Sequence, residues 1–458
     1  SRAFVLGLLG AILMGVCGQY AGKYVPGIWG LVRGHMPVTV YGFLILAVVA
    51  LNPLIGKIRA SWRLQSGELA LIFALTLVAC GITDGGLMRN FPRMLIHPVI
   101  VNHVTPGWKE VDALGYTPPV LLANGGQYDK KIAEGYVLPM GTPGHPIPIS
   151  DVPWRAWWKP LTFWTPLILL SMLGVISLSV LIHRQWADRE RLRYPLAEVA
   201  SILMRHDEAG RTLILRNRLF WVGFAVVMFI DIVNGIKVWF PSGVGIPLSF
   251  DCSALSERFP GFMKTPGASN LAWPERYPAC IGVAFLMAAD ISFSLGIANL
   301  VSVLVLYLMI SFGMNMGGNQ NWGGVSEWTG FGSFLAMGAM IVYVGRRYYW
   351  HTLREAVTFR PQPETETSGV WACRGFLVCT LGAAAMLTAV GLDPLIAVLV
   401  IGLVLLTFVV CARMNAECGV FYYIPTWAMP GAVAGLFGLA VLGPVPIIVI
   451  GMVWYMLI

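Results

Sequence analysis

Two acidic side chains lie within apolar stretches that are long enough to cross a membrane. Asp231 interrupts the run FAVVMFIDIVNGIKVWF, with Asn234 about one helical turn later, and Asp290 interrupts CIGVAFLMAADISFSLGIANL. An ionisable group at the centre of a bilayer helix costs about 2.5–3.5 kcal/mol on insertion scales, so such groups usually face a cavity or a partner helix. Asp231, Asn234 and Asp290 are therefore candidates for a proton or cation site. The alternative is that a neighbouring helix simply satisfies each acid.

Two glycine-rich breaks between apolar runs supply further candidates. Residues 313–324 read GMNMGGNQNWGG, and residues 81–86 read GITDGG. Non-helical backbone at membrane depth survives only where it is buried in protein or lines a wet cavity, and its carbonyl groups can then hold cations or substrate. The alternative is a pair of ordinary turns at the outer surface. The polar residues in and after the breaks that we predict to bind ion or substrate are Asp84, Asn315, Asn319, Gln320, Asn321 and Glu327.

The sequence carries no pattern typical of catalysis, metal binding or nucleotide binding. HExxH, GxSxG and phosphate-loop motifs are absent, and the seven histidines are scattered. The eight cysteines form no CxxC pair. Cys252 and Cys280 flank one predicted loop, where they either form a disulfide or remain free thiols. We therefore expect neither an enzyme nor a bound metal or cofactor.

The composition is that of an integral membrane protein. Of the 458 residues, 57% are hydrophobic and only 12% are charged. Apolar windows of about 20 residues, the length that spans a bilayer, recur along the chain. The formal net charge of +8 does not indicate nucleic acid, because the basic residues lie in short loops beside apolar runs. We expect an all-α polytopic transmembrane helix bundle that contacts the lipid bilayer.

The segment 184–218 fixes the predicted orientation. It carries arginines at 184, 189, 191, 193, 205, 211, 216 and 218. Short loops rich in Lys and Arg remain cytoplasmic, so this basic loop is expected inside. Counting from it gives about twelve crossings, some short or broken, with a cytoplasmic N-terminus. The predicted spans are 4–22, 37–56, 67–84, 160–182, 219–240, 279–292, 293–313, 328–345, 371–391, 394–412, 419–440 and 444–458. No internal sequence repeat is evident, although an inverted structural repeat need not leave one.

The chain is expected to form one membrane domain, 1–458, with two extracytoplasmic segments. The segment 85–159 is polar and rich in Pro and Gly, yet it has enough aromatic and apolar residues to pack as an ordered loop or cap. A second outer loop covers 241–277.

A short amphipathic helix is predicted inside the cytoplasmic loop. Pro195 suits a first helical turn. The apolar residues that recur at helical spacing are Leu192, Leu196, Val199 and Leu203. This helix either lies at the inner membrane surface or packs beneath the bundle, and a gate or partner surface is a further interpretation.

Three stretches together resemble the oligopeptide-transporter superfamily, most closely a bacterial branch of it. They are RLRYPLAEVA at 191–200, IGVAFLMAADISFSL at 281–295, and the Gly/Asn break before the span at 328–345. The resemblance covers most of the chain and implies proton-driven transport of small peptides or metal chelates. The Asn-Pro-Gly and Lys-Ile-Pro-Pro-Arg signatures of the well-studied peptide carriers are absent, which leaves the substrate open.

These observations predict a secondary active transporter in the bacterial inner membrane. Its substrate would be a small solute, a short peptide or a metal chelate, taken up by symport with protons or another cation. The chain would act alone, as a homo-oligomer or with partner membrane subunits. The alternative is a non-transporting membrane subunit or scaffold of a larger complex. A stable hetero-complex after mild detergent extraction, with no wet cavity around Asp231 or Asp290, favours that alternative.

Overall fold

The structure is a computed structural model that describes residues 2–24, 37–82, 87–112, 114–137, 141–142, 145–146, 148–206, 212–314, 324–360, 365–420 and 423–457. These residues are mainly helical, with non-helical connections between the helices and one antiparallel pairing of β1 (Gly141–Thr142) with β2 (His145–Pro146).

The helices of the described residues are numbered in chain order. The first eleven are α1 (Arg2–Tyr24), α2 (Val38–Leu46), α3 (Asn52–Ile58), α4 (Ser66–Cys80), α5 (Leu87–Val104), α6 (Pro106–Glu110), α7 (Lys130–Val137), α8 (Trp154–Arg184), α9 (Pro195–Met204), α10 (Arg218–Trp239) and α11 (Ala254–Arg258). The others are α12 (Pro260–Met263), α13 (Ser269–Ala272), α14 (Pro278–Ala284), α15 (Ala289–Ser311), α16 (Val325–Val344), α17 (Arg346–Thr358), α18 (Thr367–Ala389), α19 (Pro394–Cys418), α20 (Met429–Phe437), α21 (Leu439–Leu442) and α22 (Pro444–Leu457).

Seven helical segments among the described residues are long and apolar enough to cross a membrane. They are Val38–Ile58, Trp154–Arg189, Arg218–Trp239, Ala289–Ser311, Val325–Val344, Thr367–Ala389 and Pro394–Cys418. Shorter apolar helices cover Arg2–Gly18, Ser66–Cys80, Pro195–Met204 and Pro444–Leu457. A membrane-embedded helical protein is thus confirmed, whereas the predicted count of about twelve spans is not.

The apolar run after Pro278 divides differently from the predicted spans at 279–292 and 293–313. α14 has only seven residues, and the backbone leaves the helix before α15 begins at Ala289. α15 then continues for 23 residues. Asp290 therefore lies in the first turn of a long helix, where a carboxylate interacts favourably with the positive end of the helix dipole.

The predicted span at 419–440 is not a single helix. α19 ends at Cys418, and the described residues between it and α20 are non-helical. Gly419 has φ +58, a left-handed conformation that favours glycine and ends helices. Gly438, with φ +82, then separates α20 from α21.

The chain forms two compact units. Unit 1 comprises 1–80, 193–316 and 413–423, and unit 2 comprises 81–192, 317–412 and 424–458. In unit 1, α1 packs along α4. The structure has a helix, α9, where one was predicted within the basic loop, although Leu192 precedes it. The hydrophobic cluster that joins α9 to α2 and α4 contains Tyr41, Leu44, Val48, Leu69, Ala200, Leu203 and Met204. This contact favours the packed interpretation of α9 over a free surface helix.

The segment 241–277 is ordered in unit 1 and packs on α15. Gly267, with φ +85, lies against Asn299, and the rings of Phe262 and Tyr307 meet edge to face at 5.5 Å. Cys252 and Cys280 are both free cysteines in this structure.

Unit 2 is built on α8 and α18, which pack along each other. Gly174 and Gly375 lie at this contact, against Cys379 and Ser177 respectively. Small residues let membrane helices approach closely. The segment 87–137 also packs here, because the indole N–H of Trp164 in α8 donates to the carbonyl of Leu121 at 3.1 Å.

The helix α5 was missed by the prediction, which assigned 85–159 to an ordered loop or cap. Pro92 and Pro98 lie inside α5, where proline normally disfavours helix. Tertiary contacts outweigh that local preference, since Met94, Leu95, Ile96 and Val99 are all nearly inaccessible.

Candidate functional site

Most of the residues predicted in the glycine-rich breaks cannot be placed. Asp84, Asn315, Asn319, Gln320 and Asn321 lie outside the described residues. Glu327 is the member of that group that the structure places, and it occupies the first turn of α16.

The two intramembrane aspartates have exposed side chains. Asp231 lies in α10 and Asp290 in the first turn of α15. Asn234 has a structural partner, because its side-chain amide donates to the carbonyl of Ile246 at 3.0 Å and its oxygen accepts from the N–H of Ile246 at 2.8 Å. This pair of hydrogen bonds fixes the segment that follows α10. Among the described residues, neither aspartate side chain has a hydrogen-bonding or ion-pairing partner.

Glu327 differs from the aspartates because it is buried. Only 8% of the residue is exposed, and it is the third residue of α16, which begins directly after the second glycine-rich break. A carboxylate in a helix's first turn faces the positive end of the helix dipole, which partly offsets the cost of burial. Buried acids within membrane segments are uncommon and usually mark a functional site.

A group of aromatic rings surrounds the same part of unit 2. Trp427, which is 2% exposed, lies 5.0 Å from the ring of Phe331, 5.9 Å from that of Phe334 and 4.7 Å from that of Trp454, measured between ring centroids. Trp328 meets Phe331 edge to face at 5.9 Å. These rings form a rigid apolar wall contributed by α16, α22 and the segment before α20.

Glu327 and Trp427 line one small cavity, together with Trp328, Phe331, Ala428, Gly431 and Ala432. The space open to the centre of a water molecule is about 10 Å³. One water needs roughly 10–15 Å³ on this measure, so the cavity holds about one. We name this cavity, defined by Glu327 and Trp427, the carboxylate cavity.

The indole N–H of Trp427 is the second polar group at the carboxylate cavity. It is buried and has no hydrogen-bond partner among the described residues. A buried donor without a partner costs about 1–3 kcal/mol, so such groups usually meet a water or a ligand. Indole only donates. Its partner must therefore carry a lone pair, as a water does and a bare metal cation does not.

Glycines set the close packing around the cavity. A Cβ atom at Gly330 would clash with the hydroxyl of Thr426, and one at Gly435 would clash with the ring of Trp328. A larger residue would force α16 away from Thr426 at the first position and away from α20 at the second. Trp427 itself was missed because the run 419–440 was interpreted as a span. The signal was present in Pro425 and Pro430, which flank Trp427 and disfavour a continuous helix there.

A family model, described as a family of unknown function (DUF6785), matches residues 1–458. The chain belongs to DUF6785. No curated protein and no solved structure matches it.

In this DUF6785 chain the carboxylate cavity can support proton transfer. A water in the cavity could accept a hydrogen bond from the Trp427 indole and donate one to the Glu327 carboxylate. Among the described residues, no group of three or more His, Cys, Asp or Glu side chains is placed to hold a metal ion. The arrangement in this chain places a protonatable carboxylate and an indole donor at one cavity that holds about one water.

Proposed function

We propose that the protein is a proton-coupled secondary active transporter of a small solute, and that Glu327 carries the coupling proton. The observation that carries this proposal is that the buried carboxylate of Glu327 and the buried indole N–H of Trp427, which has no hydrogen-bond partner among the described residues, line one cavity. Glu327 lies on a helix that follows a glycine-rich sequence, and Trp427 lies in a non-helical segment. Transport sites are commonly built where membrane helices are interrupted. The substrate class, a short peptide or a metal chelate, rests on the family resemblance.

The physical role of the proton follows from the burial of Glu327. A carboxylate is charged without its proton and neutral with it, and burying the charged form costs more free energy than burying the neutral form. The two protonation states therefore favour different surroundings for Glu327, one wet and one closed. A ligand that binds two conformations with different affinities shifts their populations, which is the requirement for coupling. The non-helical residues 423–428 give the chain a place to bend.

The proposed orientation has the N-terminus in the cytoplasm of a bacterial inner membrane. It rests on the arginines of the loop 184–218, which favour the cytoplasmic side. At the start of this loop, the guanidinium group of Arg184 forms an ion pair with the carboxylate of Glu366 at 2.7 Å. This ion pair joins the end of α8 to the segment before α18.

Reconstituted protein tests the proposed activity directly. We expect proteoliposomes with an alkaline interior to show proton influx on addition of the right solute, read from a pH-sensitive dye trapped inside. Di- and tripeptides and ferric chelates form the test panel, and protein-free liposomes are the control. If folded protein gives no solute-dependent proton influx with the whole panel, the transporter proposal fails.

The predicted site residues Asp231 and Asp290 are tested in the same assay. If either aspartate takes part in coupling, the double variant Asp231→Asn, Asp290→Asn loses proton-driven uptake. Both aspartate side chains are exposed, whereas Glu327 is buried. We therefore expect the uptake rate of the double variant to stay within about threefold of that of the unchanged protein, which corresponds to about 0.6 kcal/mol in activation free energy. Loss of coupling in the double variant would return the proton site to these aspartates.

A membrane subunit or scaffold remains the second candidate function, and one observation favours it. α10 has 22 residues, is apolar, and contains no buried residue. Its midpoint carries the exposed Asp231, which is costly against lipid. A partner chain that covers this face would satisfy it. Co-purification of a stoichiometric membrane partner, together with the failure of the proton-influx assay, would select this function.

A further inference from the structure

An open groove in unit 2 lies apart from the carboxylate cavity. It runs between α5, α7 and the first turns of α8 and has a volume of about 690 Å³, within the roughly 300–1,000 Å³ typical of small-ligand sites. Its apolar walls come chiefly from Phe91, Leu95, Ile132, Tyr136, Trp154 and Trp157. We name it the interfacial groove.

Lys131 is the charged residue that lines the groove. The nearby acids have other partners. Glu134 pairs with Lys130 at 3.9 Å, and Asp129 accepts hydrogen bonds from the backbone N–H groups of Lys131 and Ile132. Among the described residues the ammonium group of Lys131 has no ion-pair partner. The groove therefore combines an apolar interior with one positive charge in its lining, while Arg93 on α5 lies close enough to Tyr136 to act on its pKa.

The position of the groove on α8 indicates what reaches it. Trp154 and Trp157 belong to the first turn of α8, whose later residues form a candidate membrane span. Tryptophan at the start of such a helix is typical of the headgroup level of a bilayer. Trp154 is 58% exposed and Trp158 is 69% exposed, so this surface is open to lipid.

The polar groups in the groove lining are few, which favours an acyl chain over a peptide as the ligand. A peptide backbone brings N–H and C=O groups that need partners when buried. Beside Lys131, the side-chain polar groups of the lining are the phenol of Tyr136 and the indole N–H groups of Trp154 and Trp157. The Tyr136 phenol is neutral near pH 7, as tyrosine ordinarily is, and burial raises its pKa further. An acyl chain has no polar groups to satisfy and fits the apolar walls.

We propose that the interfacial groove binds an acyl chain of an anionic membrane lipid, with the lipid phosphate at Lys131. This inference is independent of the proposed transport activity, and lipid binding is measured without any transport. The site would hold one lipid at the protein surface. Through this lipid, the segment 87–137 would respond to the content of anionic lipid in the surrounding leaflet.

Lipid titration followed by native mass spectrometry tests the proposal. Delipidated protein in detergent is titrated with phosphatidylglycerol or with phosphatidylcholine of the same chains. We expect the first phosphatidylglycerol to bind about fivefold more tightly, the effect of one lysine near an anionic headgroup. Lys131→Gln should remove this preference, whereas the matched control Lys130→Gln, whose side chain does not line the groove, should keep it.

A steric variant separates the groove from other lipid contacts. Gly135 lies in the groove wall on α7, so Gly135→Trp should fill the groove and weaken the first binding event of both lipids at least tenfold. Unchanged affinity for both lipids in folded Gly135→Trp overturns the proposal. Should that variant not fold, phosphatidylglycerol with a photoreactive group on its acyl chain is used on the unchanged protein. Crosslinks to α5 and to the start of α8 support the groove, and crosslinks confined to other segments overturn it.

Discussion

Replacing Glu327 by glutamine is expected to abolish proton-driven accumulation of substrate while leaving the protein folded. Glutamine has nearly the shape of the glutamate side chain, so the carboxylate cavity keeps its packing against Trp427 and Phe331. It cannot bind and release a proton near neutral pH. Loss of a positioned proton-transfer group typically lowers a rate by about 100-fold or more, and we expect a loss of that size in accumulation against a gradient.

Counterflow separates coupling from binding in this variant. Exchange of labelled for unlabelled substrate needs no net proton movement, so Glu327→Gln should retain it while losing accumulation. Glu257→Gln is the matched control, because Glu257 is exposed on α11 and should leave both activities unchanged. Full accumulation by Glu327→Gln would show that Glu327 does not carry the proton.

Trp427→Phe retains the aromatic wall but removes the donor, and we expect it to slow transport and preserve coupling.

The largest expected effect on stability comes from replacing Trp164 by alanine. Trp164 is completely buried in α8, and its indole N–H donates to the carbonyl of Leu121. Large-to-small substitution of a buried tryptophan typically costs about 3–5 kcal/mol, because apolar contacts are lost and a cavity remains. We expect a loss of this size in the free energy of unfolding of unit 2, measured in detergent by steric trapping.

Two further variants divide that loss into its causes. Trp164→Phe keeps much of the buried ring and removes the hydrogen bond to Leu121, so it should cost less, about 1–3 kcal/mol for the carbonyl left without its donor. Trp158→Ala, on the same helix but 69% exposed, should change stability by no more than about 0.5 kcal/mol. A Trp164→Ala protein as stable as Trp158→Ala would mean that the segment 117–126 does not depend on this contact.

The predicted helix boundaries were most accurate where apolar runs were continuous. The span predicted at 219–240 is α10 at 218–239, and the span predicted at 371–391 is α18 at 367–389. Hydropathy is a local, additive property, so a continuous run identifies its helix without knowledge of any neighbour. The helix α9 was predicted equally well from Pro195 and the spacing of its apolar residues.

The sequence did not reveal the elements whose formation depends on packing. α5 is helical despite two internal prolines, because its apolar face is buried in unit 2. The run 419–440 is apolar enough for a span, yet it is interrupted by the non-helical segment that places Trp427 beside Glu327. Glu327 was among the candidates predicted from sequence, whereas its aromatic surroundings and Trp427 were not.

The sequence by itself determined a helical membrane protein, most of its long apolar helices and Glu327 as a candidate site residue. These follow from the composition and spacing of neighbouring residues. Only the tertiary structure decided that Glu327 is buried, that Asp231 and Asp290 are exposed, and that Trp427 shares a cavity with Glu327. The reason is physical: the cost of a charge depends on what surrounds it, and those surroundings come from residues about a hundred positions away in the chain.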